Sequence, residues 1–259
     1  LDWIGVVVIP LGLAGLVYIL GKVFGLHEAQ STRLSGFDRH KLLLIWIALL
    51  VQVFIAIAAL YALRHSGLKS SEGPVLYTPG KLLLQFSMSV LIMVPFLTIK
   101  WKLRESWSST GVSREGSGKA LLLGFAAALA YIVVDLWRNG FSFRQAWDMF
   151  DMNFVWALPL YAAVGFSEEW IFRGYVQPRF EFWLGRIPGW LLASLVMAFI
   201  HVPQRILIGG MPMNDALLSS LELLPISLLL GYMRMRTGTI WAPVVLHAGV
   251  DWELVFFGI

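Results

Sequence analysis

The sequence contains no cysteine. Disulfides, thiolate nucleophiles and Cys-ligated zinc are thereby excluded. Charge is also scarce: 14% of the 259 residues are Asp, Glu, Lys or Arg, and 58% are hydrophobic. An ordinary soluble domain has about 25% charged residues. So few charges could not cover a soluble surface, so lipid must be the solvent for much of the chain. No soluble domain, low-complexity tract or internal repeat is visible. Neither His-Glu-x-x-His nor Gly-x-Ser-x-Gly occurs, which removes the usual zincin and serine-hydrolase signatures. The net charge of +4 calls for no nucleic acid, because the positive-inside bias of membrane proteins accounts for it.

What is present is a series of apolar runs, and a spanning helix needs about 20 mostly apolar residues. Eight candidates are read: Trp3–Leu20, Leu42–Leu63, Leu82–Ile99, Ala120–Val134, Phe154–Phe172, Trp190–Leu207, Leu217–Tyr232 and Ile240–Phe257. The expected fold is an all-α bundle of about eight transmembrane helices around an interior cavity, with 1–259 as a single integral membrane domain. The chain begins at Leu1 without an initiator Met, which leaves open whether the natural N-terminus is present. Trp3–Leu20 lacks a basic stretch before it and a small-residue cleavage site after it, so it reads as a retained helix. Lys100–Lys119 reads as a surface loop with Ser and Gly turn residues.

Lys and Arg in the connections set the orientation. The connections after spans one, three, five and seven hold 13 of them, and the other side holds 6, with Arg173 left out. Both termini are therefore expected outside, with the odd connections in the cytoplasm.

Ionisable groups at membrane depth are costly and by default mark function. Spans one to four have almost none. Span five ends in Ser167-Glu168-Glu169-Trp170-Ile171-Phe172-Arg173, span six contains His201, and span eight contains His247 and Asp251. Glu169 and Arg173 are four apart and can pair on one helix face. Glu168 lies about 100° round the helix and points elsewhere. His247 and Asp251 are also four apart. Glu168, His201 and the His247/Asp251 pair thus come from three helices and could converge on one cavity, roughly 10–17 Å into the membrane by helical rise. With no cysteine and no serine elbow, water is the available nucleophile. Glu168, buried beside the histidines, suits a general base. Ser167 reads as a packing or capping residue, and Gly174 as the turn after Arg173.

The order Glu-Glu-x-x-x-Arg, a histidine ending an apolar helix, then His-x-x-x-Asn/Asp resembles the CAAX protease and bacteriocin-processing family. These intramembrane glutamic endopeptidases, also called Abi proteins, include the Ras-converting prenyl-protein protease. The lead-in Arg236-Thr237-Gly238-Thr239-Ile240-Trp241-Ala242-Pro243 also looks like that family's. The resemblance spans about Gly165–Trp252. It implies an intramembrane peptidase of the cell membrane, its site opening toward the cytoplasm, without metal or cofactor. The substrate would be a membrane-associated protein or peptide. By the same resemblance, Glu168 and His201 activate the water, His247 and Asp251 hold the oxyanion, and Glu169 with Arg173 braces the helix end.

The chain departs from the family pattern twice. Met197 stands where the second motif usually has Phe, and Phe199 nearby suggests a shifted packing role. Asp251 stands where Asn is frequent. An amide donates to an oxyanion but an ionised carboxylate cannot, so Asp251 either carries its proton or orients His247. Three other readings remain. Glu168, His201, His247 and Asp251 form a possible N/O zinc set. A rhomboid-like serine protease on Ser167 would need a small residue where Glu168 stands. The last is non-enzymatic: a membrane immunity or scaffold protein, or a transporter with a buried proton relay.

Overall fold

The computed structural model describes residues 3–26, 41–65, 79–148, 150, 152–207 and 209–254. Among these there is helix and no strand. Arg33, Arg39, Lys69 and the expected end of span eight at Phe257 lie outside the described residues.

A π-helical stretch, Ile4–Val8, leads into α1 (Ile9–Val23). It is followed by α2 (Leu42–His65), α3 (Pro79–Lys102), α4 (Ser117–Arg138), a short α5 (Phe143–Asp148) and α6 (Met152–Glu169). A second π-helical stretch, Trp170–Val176, joins α6 to α7 (Gln177–Leu184). The remainder is α8 (Arg186–Phe199), α9 (Val202–Leu207), α10 (Met213–Leu221), α11 (Leu224–Thr237) and α12 (Trp241–Glu253).

Six runs are long and apolar enough to cross a membrane: Ile4–Val23, Leu42–Ala59, Leu82–Lys102, Ser117–Arg138, Arg186–Leu207 and Met213–Thr237. They correspond to expected spans one to four, six and seven, and the protein is a polytopic helical bundle. The other two expected spans, now α6 and α12, carry Glu168, Glu169, His247 and Asp251. No residue of α12 is exposed, so protein rather than lipid covers its polar positions.

The packing faces follow helical periodicity. The buried residues of α1 are Ile9, Pro10, Leu13, Val17 and Gly21, mostly one face at i, i+4, i+8. In α4 the buried set is Ala120, Leu123, Gly124, Ala127, Ala128 and Asp135. These faces meet α11 and α12 in one core containing Leu123, Leu230, Met233 and Leu246. A second core joins α2, α3, the Trp170–Val176 stretch and α8 through Ile45, Phe96, Phe172, Tyr175 and Met197. Small residues let the backbones close in, as is usual where lipid supplies no hydrophobic drive between helices. A Cβ on Gly165 of α6 would stand 3.1 Å from both the Ala248 nitrogen and the Val244 oxygen of α12.

Several expectations about segment ends are corrected. Span five does not stop at Arg173, and Gly174 makes no turn. Helix is continuous from Met152 to Leu184, with every residue of the π-helical Trp170–Val176 buried. Glu168 therefore lies near the middle of a long helix, not at its end. Continuing the helix keeps each buried N–H and C=O paired where water cannot serve, and the missing side chain of Gly174 makes room for a neighbour. A Cβ there would be 2.5 Å from the Thr110 carbonyl oxygen. Lys100–Lys119 is not simply a surface loop either. Its ends are helical, Thr110 is fully buried, and Trp170 Nε1 donates to Thr110 Oγ1 at 3.1 Å. Spans six and seven are each broken. Pro203 and Pro225 lack the N–H needed to continue α8 and α10, so α9 and α11 start afresh around them.

Candidate active site

Glu168 stands at the point where α6, the α8–α9 break and α12 meet. Its Oε2 is 3.8 Å from His201 Nε2 and 3.9 Å from His247 Nε2. That oxygen is buried and has no hydrogen-bond partner among the described residues. His247 Nε2 also lies 3.5 Å from Asp251 Oδ2. The three helices thus bring Glu168, His201, His247 and Asp251 together.

The histidines are held by different means. His201 sits in the turn between α8 and α9, and its Nδ1 is 2.9 Å from the Met197 carbonyl. A carbonyl can only accept, so Nδ1 carries the hydrogen and Nε2 is left toward Glu168. Met197 is buried and Phe199 is exposed. The expected shift of packing to Phe199 is therefore incorrect. Position 197 acts through its main chain, and its own side chain fills the core.

His247 is held by a side chain. Its Nδ1 is 2.7 Å from Glu169 Oε1, within the range of a charge-assisted bond. The same oxygen accepts from Arg173 Nη1 at 3.0 Å. Arg173 Nη2 donates to the Ser227 carbonyl at 2.8 Å and to Ser227 Oγ at 2.9 Å. Ser227 Oγ donates to the Ser194 carbonyl at 3.1 Å. A polar line therefore runs from α8 through α11 and Arg173 to Glu169 and the His247 ring. The i,i+4 pairing of Glu169 and Arg173 is present, but it binds helices together instead of bracing a helix end. Sequence reasoning missed Ser194 and Ser227; a serine inside an apolar run next to Pro225 was the available, weak signal. With Nδ1 taken by Glu169, Asp251 faces the other nitrogen and is not the residue that orients the ring.

Ser167 Oγ donates to the Val164 carbonyl at 2.9 Å, an internal helix bond that occupies its hydroxyl hydrogen. Glu168 and His201 line a cavity of about 230 Å³. The opposite wall comes from α2 and α3, including Gln52, Val53, Ser89 and Ile92. Among the described residues no group of three or more His, Asp or Glu side chains is arranged to hold a metal ion.

Residues 150–252 match the family described as type II CAAX prenyl endopeptidase Rce1-like. This part of the chain is similar to that family. The Rce1-like segment comprises α6 to α12 and contains Glu168, Glu169, Arg173, His201, His247 and Asp251. The cavity wall from α2 and α3 lies outside it. No curated protein and no solved structure matches the chain.

Proposed function

We propose that the chain is an intramembrane, glutamate-dependent endopeptidase acting on a membrane-associated protein or peptide. The observation that carries this reading is the Glu168 carboxylate, which faces one nitrogen of each of two imidazoles, at 3.8 and 3.9 Å, beside a cavity. The Rce1-like match supports a protease.

In this mechanism a water lies between Glu168 and His201. Glu168 takes its proton as the water oxygen attacks the peptide carbonyl carbon, and His201 Nε2 aligns the water. The carbonyl oxygen becomes an oxyanion. A protonated His247 presents Nε2–H to it, with Nδ1–H committed to Glu169, and a protonated Asp251 is the second donor. Glu168 then passes its proton to the amide nitrogen as the C–N bond breaks. Glu169 and Arg173 position His247 and do not touch the substrate.

The whole chain, 1–259, would act as one integral membrane domain in the cell membrane. The basic connections would lie in the cytoplasm and the site would open toward that side. The decisive experiment compares the peptidomes of cells carrying the wild-type chain and Glu168→Ala. Peptides dependent on Glu168 are expected. Identical peptidomes, with both proteins present in the membrane, would favour a non-catalytic immunity or scaffold role.

A further inference from the structure

Gln52 is the one amide in the Leu42–Ala59 stretch of α2, which is otherwise Leu, Ile, Val, Ala, Phe and Trp. This stretch has the highest mean hydropathy of the six spans, 2.8. Gln52 is 5% exposed, and its Oε1 is buried with no hydrogen-bond partner among the described residues. An unpaired buried acceptor is unfavourable, and leucine at this position would avoid that cost. Gln52 lines the same cavity as Glu168 and His201.

A peptide substrate entering that cavity brings a matching problem. Each residue carries a main-chain N–H and C=O that need partners away from water. Many peptide-binding proteins meet this need with an exposed strand edge. Among the described residues there is no strand, and helical backbones spend their own groups internally. Where the helices run unbroken, side chains must therefore do it. Much of the wall is apolar, with Val53, Ile92, Val164 and Phe172. Ser167 is already bonded to Val164, and Gln204, the other amide of the lining, is exposed.

We infer that Gln52 is a positioning residue whose Oε1 accepts a main-chain N–H of the substrate beside the scissile bond. The side chains flanking that bond would be apolar, to suit the walls. At about 230 Å³ the cavity is smaller than the ~300–1,000 Å³ of drug-sized pockets. It would hold only the residues next to the cut. This inference rests on the peptidase reading and extends it to α2, outside the Rce1-like segment.

The test uses an internally quenched peptide spanning a bond that is cut by the wild type and not by Glu168→Ala. It is synthesised with its natural backbone and with each amide N–H near that bond N-methylated in turn. For the wild type, one N-methyl position should lower kcat/KM about tenfold, the scale of one hydrogen bond. Gln52→Leu should lose a similar factor on the natural peptide, be insensitive to N-methylation at that position, and melt no lower than wild type. A Gln52→Leu enzyme with wild-type kcat/KM would overturn the inference, as would one that keeps the wild-type pattern of N-methyl sensitivity. If Glu168→Ala still cuts every bond, the peptidase reading itself fails, and this inference with it. A dead Glu168→Ala alongside an unaffected Gln52→Leu removes the inference alone.

Discussion

Replacing Glu169 with glutamine separates two jobs that one oxygen performs. Oε1 of Glu169 accepts from Arg173 at 3.0 Å and from His247 at 2.7 Å. Gln keeps the size but not the charge, so Arg173, 1% exposed, is left as a buried cation without its counter-ion. Removing one partner of a buried pair typically destabilises by about 3–5 kcal/mol. The bond to His247 changes from charge-assisted, about 1.5–3 kcal/mol, to neutral, about 0.5–1.5 kcal/mol. The difference is about 1–1.5 kcal/mol, or roughly tenfold in rate if it falls on the protonated imidazole of the transition state. Arg173→Met removes the other partner. It should cost comparable stability, yet it leaves the Glu169–His247 bond in place. The two single variants should therefore melt alike in detergent and differ about tenfold in rate per folded molecule. The double variant Glu169→Gln/Arg173→Met should recover more than half of the lost stability and none of the lost rate. Thermal unfolding by fluorescence and initial rates on the Glu168-dependent peptide measure both. Equal rate losses in the two single variants would refute the assignment of His247 orientation to Glu169.

Three further outcomes are expected. Asp251→Asn should keep activity within about tenfold, while Asp251→Ala should lose about 10²–10³, the usual cost of one oxyanion donor; the donor form carries the proton, so wild-type activity should fall as pH rises through the Asp251 titration, and Asn should flatten that limb. A pH–rate profile of the wild type and Asp251→Asn checks this: loss of the His247 proton limits both at high pH, and a falling limb that lies at the same pH in the two contradicts the Asp251 assignment. Gly174→Ala should destabilise by about 1–3 kcal/mol, because the added methyl meets the Thr110 carbonyl 2.5 Å away, and an unchanged melting temperature would contradict it. Chelator treatment should leave peptidase activity unchanged, since Glu168 serves as the base without a metal; loss on EDTA with rescue by Zn²⁺ would instead establish a metalloprotease.

Six of the eight expected spans were legible because solvent dictates them: a run such as Leu42–Ala59 has no other stable placement. The convergence of Glu168, His201 and His247 was legible because buried ionisable groups occurred in so few apolar runs. Helical spacing paired Glu169 with Arg173, since i,i+4 is a property of one helix. It could not pair Glu169 with His247, a contact across 78 positions of sequence that depends on how α6 crosses α12. Adjacent residues 168 and 169 diverge by about 100°, yet both reach His247, one at each ring nitrogen. The π-helical stretch after Glu169 had no local signature, and neither had the burial of Thr110, because both follow from neighbours docking on that helix. Gln52 escaped notice because a single neutral amide hardly alters the hydropathy of its span.

The different anchors of the two imidazoles give them different susceptibility to genetic change. The ring of His201 is tied to a carbonyl of the chain itself, which every amino acid at position 197 supplies. Substitution there can alter packing but cannot delete the tether, so Met in place of Phe is chemically silent. The ring of His247 depends on the side chains of Glu169, Arg173 and Ser227, each of which a single codon change can remove. Sequence drift in this protein should therefore be free around the first histidine and constrained around the second, reaching as far as Ser227, whose hydroxyl meets Arg173 and not the ring.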